Sequence, residues 1–297
     1  MRAAVIVNGR IEIEERPDPV PGDGEVLIRV RAAGINGADL MQRAGHYPPP
    51  PGAPADIPGL ECAGEAEGGD RVMALLPGGG QAELVAVHES HVLPVPDDVG
   101  WPQAGGFMEV FATAHDAVFT QAELQRGERL LVNGAAGGVG VAAVQLGARA
   151  GATVTGTARH HLDEIRALGA ADTEPGGAYD VILELVGGEN LATNLELLEL
   201  KGRIAVIGTG AGAAADVNFG YLMRSRGRIH GSTLRPRSRE EKAEVVRRLR
   251  EDVLPLLADG RVTVPVHETF PFERSQDAYE TFAAGGKLGK IVVTFES

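Results

Sequence analysis

The sequence has almost no cysteine and no long hydrophobic run. Its one cysteine, Cys62, excludes an internal disulfide and any cysteine-rich structural zinc site. No stretch approaches the roughly 18 apolar residues that a membrane-spanning helix needs. The apolar start at residues 1–7 is also too short for a secretory signal. These absences predict a cytoplasmic protein that does not act in a membrane.

Positive charge is also scarce. The chain carries 28 Lys and Arg residues against 41 Asp and Glu residues, for a formal net charge of −13. This balance argues against nucleic acid or an anionic membrane as the main partner, although it leaves room for a local basic pocket that binds a phosphate. We therefore expect a small-molecule substrate and no nucleic-acid partner.

Glycine, in contrast, is abundant, and it is concentrated most informatively at residues 129–140, with the sequence RLLVNGAAGGVG. An apolar run leads into a glycine-dense turn, and the Ala- and Val-rich residues 141–150 follow at once. This order is typical of a strand, a phosphate-binding loop and a helix whose first N–H groups point at an anion. The residues predicted to hold a pyrophosphate are Gly134, Ala136, Gly137, Gly138 and Val139.

The glycine spacing does not match the strict dinucleotide fingerprint. Ala135 stands where G-x-G-x-x-G would begin, so the spacing is Gly134-x-x-Gly137-x-x-Gly140. Glycine is needed in such a loop because a Cβ would keep the phosphates from the backbone and would strain the turn. A glycine turn that merely joins a strand to a helix remains the alternative interpretation.

The hydrophobic pattern divides the chain into two kinds of segment. Short strands broken by Pro- and Gly-rich loops fill the first ~110 residues, whereas strand-like and helix-like runs alternate further on. Such alternation predicts an α/β protein with a doubly wound parallel sheet beside a β-rich domain, and the length of 297 residues favours two domains. We expect a β-rich domain at residues 1–112, a nucleotide-binding domain at residues 113–260, and a return to the first domain at residues 261–297.

The residues after the second strand of the nucleotide-binding domain indicate which cofactor binds. An NAD site has an acidic residue there, about 20 residues beyond the glycines, to bind the adenosine ribose. Here the strand ends near Thr157, and Arg159 and His160 follow. Arg159 can hold a 2′-phosphate with charged donors and His160 can add a hydrogen bond, which favours NADPH over NADH. A solvated loop is the alternative.

Five more residues are candidates for cofactor contacts. Val186 and Gly187 end the next strand, and Gly208 and Thr209 end the one after it. Glycines at these places would let the ribose and nicotinamide approach the backbone, although ordinary strand-to-helix turns are the alternative. Thr113 is expected near the nicotinamide or the phosphates, or else packed within a helix.

Several segments together resemble one family. They are NGADLMQR at residues 36–43, LLPGGGQAE at residues 75–83, EVFATA at residues 109–114 and LGKIV at residues 288–292. With the glycine loop, they resemble the zinc-independent, zeta-crystallin-like quinone oxidoreductases of the medium-chain dehydrogenase/reductase superfamily, nearly end to end. The resemblance implies a GroES-like catalytic domain, a Rossmann NADPH-binding domain, usually a homodimer, and reduction of quinones or related α,β-unsaturated carbonyls.

The resemblance also implies roles for individual residues. It places Asn36 and Tyr47 beside the nicotinamide, where they can donate hydrogen bonds to an oxygen that gains charge, and it makes Leu234 and Lys290 cofactor contacts. A turn residue and a packing aromatic are the alternatives for Asn36 and Tyr47. Zinc-dependent relatives have Cys where this chain has Asn36 and His where it has Leu60, so we expect no metal site.

Two other functions stay open at this point. The same hydride chemistry serves an enoyl reductase that acts on an α,β-unsaturated carbonyl or thioester. Such an enzyme would need a basic patch for a phosphopantetheine or CoA phosphate, and only Arg159 and residues 224–237 offer one. A protein that binds NADPH without turnover is the third alternative.

Overall fold

The computed structural model describes residues 1–296, and the contacts among them divide the chain into two compact units. Unit 1 contains Met1–Ala112 and the chain from Leu234 onward, and unit 2 is Thr113–Thr233. The chain thus returns to unit 1 at Leu234, before residue 261, because residues that follow Leu234 contact that unit. Arg250, for example, donates to the carbonyl oxygen of Val92 at 2.8 Å. No helix in residues 1–296 has the length and hydropathy to span a membrane.

Unit 1 is built on a mixed seven-stranded sheet and a two-stranded hairpin. Its strands are β1 (Arg2–Val7), β2 (Arg10–Glu15), β3 (Glu25–Ile35), β4 (Glu61–Ala66), β5 (Arg71–Leu75), β6 (Leu84–His88), β7 (Val92–Pro94), β13 (Val266–Pro271) and β14 (Lys290–Thr294). Strands β1 and β2 form the hairpin, and the large sheet has the order β13-β14-β3-β4-β5-β7, with β6 also paired to β3. The long strand β3 therefore connects the C-terminal strands to the rest of the sheet.

Unit 1 also contains several helices. They are α1 (Gly37–Arg43), α2 (Trp101–Gly105), α8 (Arg239–Arg248), α9 (Leu254–Ala258) and α10 (Ser275–Ala284), while α3 (Met108–His115) begins in unit 1 and ends in unit 2. Alternate side chains of β3 and β14, including Ile28, Ile35 and Ile291, form the core together with Tyr279 of α10. Burying each such side chain stabilises the fold by about 1.5–3 kcal/mol.

Unit 2 is a parallel five-stranded sheet with helices between its strands. Its elements are β8 (Arg129–Asn133), α4 (Gly138–Ala150), β9 (Thr153–Thr157), α5 (Leu162–Ala167), β10 (Tyr179–Glu184), α6 (Leu191–Glu196), β11 (Leu198–Val206), α7 (Phe219–Ser225) and β12 (Arg228–Gly231). The strand order is β12-β11-β10-β8-β9. The apolar side chains of β8 and β10 are buried because helices cover such a sheet. The predicted α/β fold class is confirmed.

A single bridge completes the nucleotide-binding topology. Asp172 pairs in parallel with Thr155 of β9, and the N–H of Gly156 donates to the Asp172 carbonyl oxygen at 3.0 Å. If Asp172 is counted as the third strand, the order becomes that of a Rossmann sheet, with its switch point between β8 and β10. Ligands of such sheets bind at the carboxyl ends of the strands beside this point, where the glycine loop lies.

Candidate cofactor and catalytic sites

The glycine loop joins the end of β8 to the start of α4. Gly134 has a φ of +86°, a conformation that side chains rarely adopt. The N–H groups of Gly134 and Ala135 both donate to the Thr157 carbonyl oxygen, at 3.1 and 2.9 Å, which ties the loop to the end of β9. A Cβ on Gly140 would overlap the Gly134 carbonyl oxygen. The first and third glycines of the spacing thus shape the loop itself.

The loop leaves backbone donors free at the start of α4. Gly138, Val139 and Gly140 occupy the first turn, where N–H groups have no acceptor within the helix, and the N-cap residue Gly137 provides no side-chain cap. Residues 136–139 are half-buried rather than enclosed. The positive end of the helix dipole adds to this field. The predicted loop residues therefore come together in a geometry that fits a pyrophosphate.

A buried carboxylate organises the neighbouring strand end, and sequence reasoning missed it. Glu184, which ends β10, is 1 % exposed. Its Oε1 accepts the N–H groups of Val186 and Gly187 at 2.7 and 2.9 Å. Its Oε2 accepts Nδ2 of Asn133 and Nδ2 of Asn194, each at 2.8 Å. Glu184 therefore fixes the turn that carries the two predicted residues Val186 and Gly187.

The residues predicted to select NADPH lie directly after β9. Thr157 Oγ1 donates to Asn133 Oδ1 at 3.0 Å, which connects the end of β9 to the Glu184 network. Arg159 and His160 are exposed, and no residue in the described part of the chain forms a hydrogen bond or ion pair with the Arg159 guanidinium. The end of β9 thus presents a free cation and no carboxylate.

The remaining predicted residues of unit 2 lie in separate settings. A Cβ on Gly208 would overlap the Leu185 carbonyl oxygen, so this glycine is required by the neighbouring strand end within the protein. Thr209 is exposed, and Thr113 is half-buried in α3. The need for glycine at position 208 therefore gives no information on a ligand.

In unit 1, Asn36 belongs to a buried charged cluster. Its Nδ2 donates to Glu61 Oε1 at 2.9 Å, and its Oδ1 accepts the Lys290 ammonium at 2.6 Å. Lys290 Nζ also lies 2.7 Å from Glu61 Oε1, and the two side chains are only 2 % and 0 % exposed. Glu61 Oε2 accepts the N–H of Glu109 at 2.9 Å. The residue predicted beside the nicotinamide is thus held by an ion pair that the sequence analysis did not identify.

The resemblance makes Lys290 a cofactor contact, but in the structure oxygens of the protein surround its ammonium. An ammonium has three N–H donors, and the acceptors around it are Ile35 O at 2.9 Å, Asn36 Oδ1 and Glu61 Oε1. Its charge therefore faces protein oxygens. Leu234 is also buried, at 6 % exposure. The glycine at position 34 was a possible signal for this cluster, since a Cβ there would contact Lys290 Cε at 2.9 Å.

Tyr47 is positioned by a buried arginine next to the predicted Leu234. The Arg235 guanidinium donates to Pro77 O at 2.8 Å, to Tyr47 O at 3.0 Å and to Gln42 Oε1 at 2.7 Å. It also lies over the Tyr47 ring, 5.3 Å from its centroid. Partial burial raises the pKa of the Tyr47 phenol, so its hydroxyl stays protonated and can donate.

Two carboxyl groups of unit 1 also have raised pKa values. Asp39 accepts the N–H of Asn36 at 2.8 Å and that of Gly59 at 2.9 Å, yet burial raises its pKa to about 6. Burial, followed by the charges of Glu61 and Asp39, raises the pKa of Glu109 to about 8. Glu109 is therefore largely protonated at neutral pH.

The comparisons with known proteins agree with this architecture. Residues 22–97 match the alcohol dehydrogenase GroES-like domain family, and residues 152–293 match the zinc-binding dehydrogenase family. The quinone oxidoreductase of Thermus thermophilus, whose structure was also solved with NADPH, is 34 % identical, with a TM-score of 0.88 over 99 % of this chain and 100 % of its own.

The chain belongs to the quinone oxidoreductase family of the medium-chain dehydrogenase/reductase superfamily. The resemblance noted in the sequence is thereby confirmed, and the chain is an oxidoreductase of this superfamily. Mouse quinone oxidoreductase is 29 % identical over 93 % of this chain and 90 % of its own length. Polyketide synthase GfsB of Streptomyces halstedii is 32 % identical over 92 % of this chain, which covers 5 % of that synthase.

The family description raises the question of whether the buried cluster of unit 1 fits zinc. Leu60 provides no ligand atom, and Asn36 Oδ1 and Glu61 Oε1 already face the Lys290 ammonium. A metal ion beside that ammonium would be repelled. Within residues 1–296, no three His, Cys, Asp or Glu side chains form a group that could hold a metal. This donor set does not fit zinc.

Proposed function

We propose that this chain is an NADPH-dependent oxidoreductase that reduces quinones by hydride or electron transfer without zinc. The observation that carries the proposal is the end of β9. There Thr157 anchors the glycine loop, and the free guanidinium of Arg159 follows in place of an acidic residue. The NADPH complex of the Thermus thermophilus relative supports the choice of cofactor. We also propose that the protein is a cytoplasmic homodimer, as the family resemblance implies.

We propose a set of residues for each part of the cofactor. The N–H groups of residues 136–139 would bind the pyrophosphate, and Arg159 and His160 would bind the 2′-phosphate. The turn held by Glu184 and the exposed Thr209 would lie along the ribose and nicotinamide. When bound, NADPH supplies the hydride. The chain itself provides donors from Asn36 and Tyr47 for the carbonyl oxygen that gains charge.

Turnover measurements test the reaction class. NADPH absorbance would be followed with a panel of quinones and, separately, with enoyl thioesters. Oxidation of NADPH by quinones is the expected result. Turnover with enoyl thioesters alone would reject the quinone assignment, and tight NADPH binding with no turnover on any acceptor would reject both enzymatic functions.

The cofactor choice predicts a selective effect of Arg159→Ala. This change should weaken NADPH binding by about 1.5–3 kcal/mol, as for loss of a hydrogen bond to a charged group, with little effect on NADH. Fluorescence titration with each cofactor measures both affinities. Arg166→Ala is the matched control, because the Arg166 guanidinium is already bonded to Asp163 and Thr173. Equal weakening of both cofactors by Arg159→Ala would refute the assignment.

A second candidate is reduction of an α,β-unsaturated carbonyl or thioester. The observation in its favour is the match to segments of polyketide synthases, at 32 % identity for GfsB. The hydrogen-bond donors of Asn36 and Tyr47 would serve an enone oxygen as well as a quinone oxygen. The acceptor panel above separates the two candidates.

A further inference from the structure

Lys290 lies at the start of β14 with its ammonium fixed by protein oxygens. Its three acceptors lie within 2.9 Å, on Ile35, Asn36 and Glu61. Glycine makes room for its alkyl chain, since a Cβ on Gly106 would lie 3.1 Å from Lys290 Cγ. A cation held this tightly in the interior imposes an orientation on each dipole around it.

The dipole most strongly constrained is the amide of Asn36. An ammonium only donates hydrogen bonds and an ionised carboxylate only accepts them. Oδ1 of Asn36 must therefore face Lys290, and Nδ2 must face Glu61, as the distances of 2.6 and 2.9 Å show. Turning the amide over would set its NH2 group against the ammonium and its oxygen against the carboxylate.

This arrangement commits one N–H of the amide and leaves one. Nδ2 has two hydrogens, and within the described chain Glu61 Oε1 is its acceptor. Asn36 retains 8 % exposure. The ammonium on Oδ1 also withdraws electron density from the amide, which strengthens the remaining N–H as a donor, because linked hydrogen bonds polarise one another.

We infer that Lys290 and Glu61 are positioning residues that hold the Asn36 amide so that its second N–H donates to the substrate carbonyl oxygen. This inference rests on the proposed function, and it assigns Lys290 a role through Asn36 in place of a direct contact with the cofactor. Lys290 transfers neither a proton nor an electron in this role. Its charge acts on the acceptor oxygen only through the oriented and polarised amide.

A double-mutant cycle tests the inference. Lys290→Met and Asn36→Ala should each lower kcat about 100-fold, the lower end of what removing one oxyanion donor costs, with the NADPH dissociation constant unchanged. The double variant should be no slower than Asn36→Ala alone, because Lys290 then has no amide to orient. Losses that multiply, or a loss confined to NADPH affinity, would overturn the inference.

Two further variants keep the test independent of folding. Lys290→Met alone leaves Glu61 as a buried, unpaired charge, which can destabilise the fold. Combining it with Glu61→Gln gives a paired variant that lacks both charges. This paired variant should regain thermal stability and still show the loss of kcat. A paired variant with wild-type kcat would reject the inference. Lys287→Met is the matched control, because Lys287 lies over the Phe282 ring and pairs with no carboxylate of residues 1–296.

Turnover by the wild-type protein distinguishes failure of this inference from failure of the proposed function. No turnover with any acceptor would overturn the proposed function and the inference with it. Wild-type turnover together with multiplicative losses in the cycle would overturn the inference alone.

Discussion

The two units bury a carboxylate by opposite means. Glu61 of unit 1 is neutralised by one cation, the Lys290 ammonium at 2.7 Å, with Asn36 and a backbone N–H as further donors. Glu184 of unit 2 has no cationic partner in the described part of the chain. It is held by neutral donors, two from the backbone and three from the side chains of Asn133, Asn190 and Asn194.

The two ways of stabilising a buried carboxylate have different consequences for the two units. A buried charge needs either a counter-ion or several hydrogen bonds. The neutral donors of Glu184 connect the end of β8, the turn after β10 and helix α6. The ion pair at Glu61 concentrates the compensation on one residue and polarises the Asn36 amide. The stability of unit 1 should therefore depend strongly on the Lys290 side chain. The stability of unit 2 should depend less on any single donor to Glu184.

The sharpest test of this contrast is the effect of Lys290→Met on stability. Removing the cation beside a buried carboxylate should lower the free energy of unfolding by about 3–5 kcal/mol, measured by urea titration. The control Lys287→Met should cost no more than about 1 kcal/mol, the worth of its cation–π contact. A cost for Lys290→Met as small as that of the control would mean that Glu61 does not depend on the ammonium.

The matching change in unit 2 should cost less. Asn194→Ala removes one of the donors to Glu184, so the free energy of unfolding should fall by about 1.5–3 kcal/mol, the range for a hydrogen bond to a charged group. Thr193→Ala, at an exposed position on the same helix, should change it by no more than about 0.5 kcal/mol. If Asn194→Ala cost as much as Lys290→Met, the shared compensation in unit 2 would be disproved.

The last test concerns the pH dependence that Glu109 gives to unit 1. Its pKa rises from an ordinary 4.5 to about 8 on folding, so the native state binds more protons than the unfolded state in this range. Stability should therefore fall as pH rises from about 4.5 to about 8. Asp39 contributes in the same direction only up to about 6.

Glu109→Gln cannot ionise, so it should remove the contribution of Glu109 over this whole range. Above pH 6, where Asp39 no longer contributes, neither group should then give a slope. Unfolding titrations of both proteins across this range measure the difference, which cancels the contributions of other groups. If the two slopes are equal, Glu109 is already ionised in the folded protein at neutral pH.

Local sequence patterns were enough to predict the fold, whereas the surroundings of single residues were not predicted. The run at residues 129–133 became β8, and the glycines at 134, 137 and 140 became the loop before α4. The position at which the chain returns to unit 1 involves a tertiary contact with β7. The hydrophobic periodicity of the sequence carries no information on such contacts. The family resemblance supplied Asn36 but gave no reason for its orientation.

The sequence by itself determined the strand, loop and helix that fit a pyrophosphate, because the requirements there are local: a positive φ, missing Cβ atoms and the first turn of a helix. It also determined that a cation and no acid follows β9. Only the tertiary structure decided which groups surround Asn36. Lys290 is 254 residues from Asn36 in the chain, and no local pattern links them. They meet because β14 pairs with β3 in the folded sheet, and the low dielectric there makes pairing of the two buried charges a requirement.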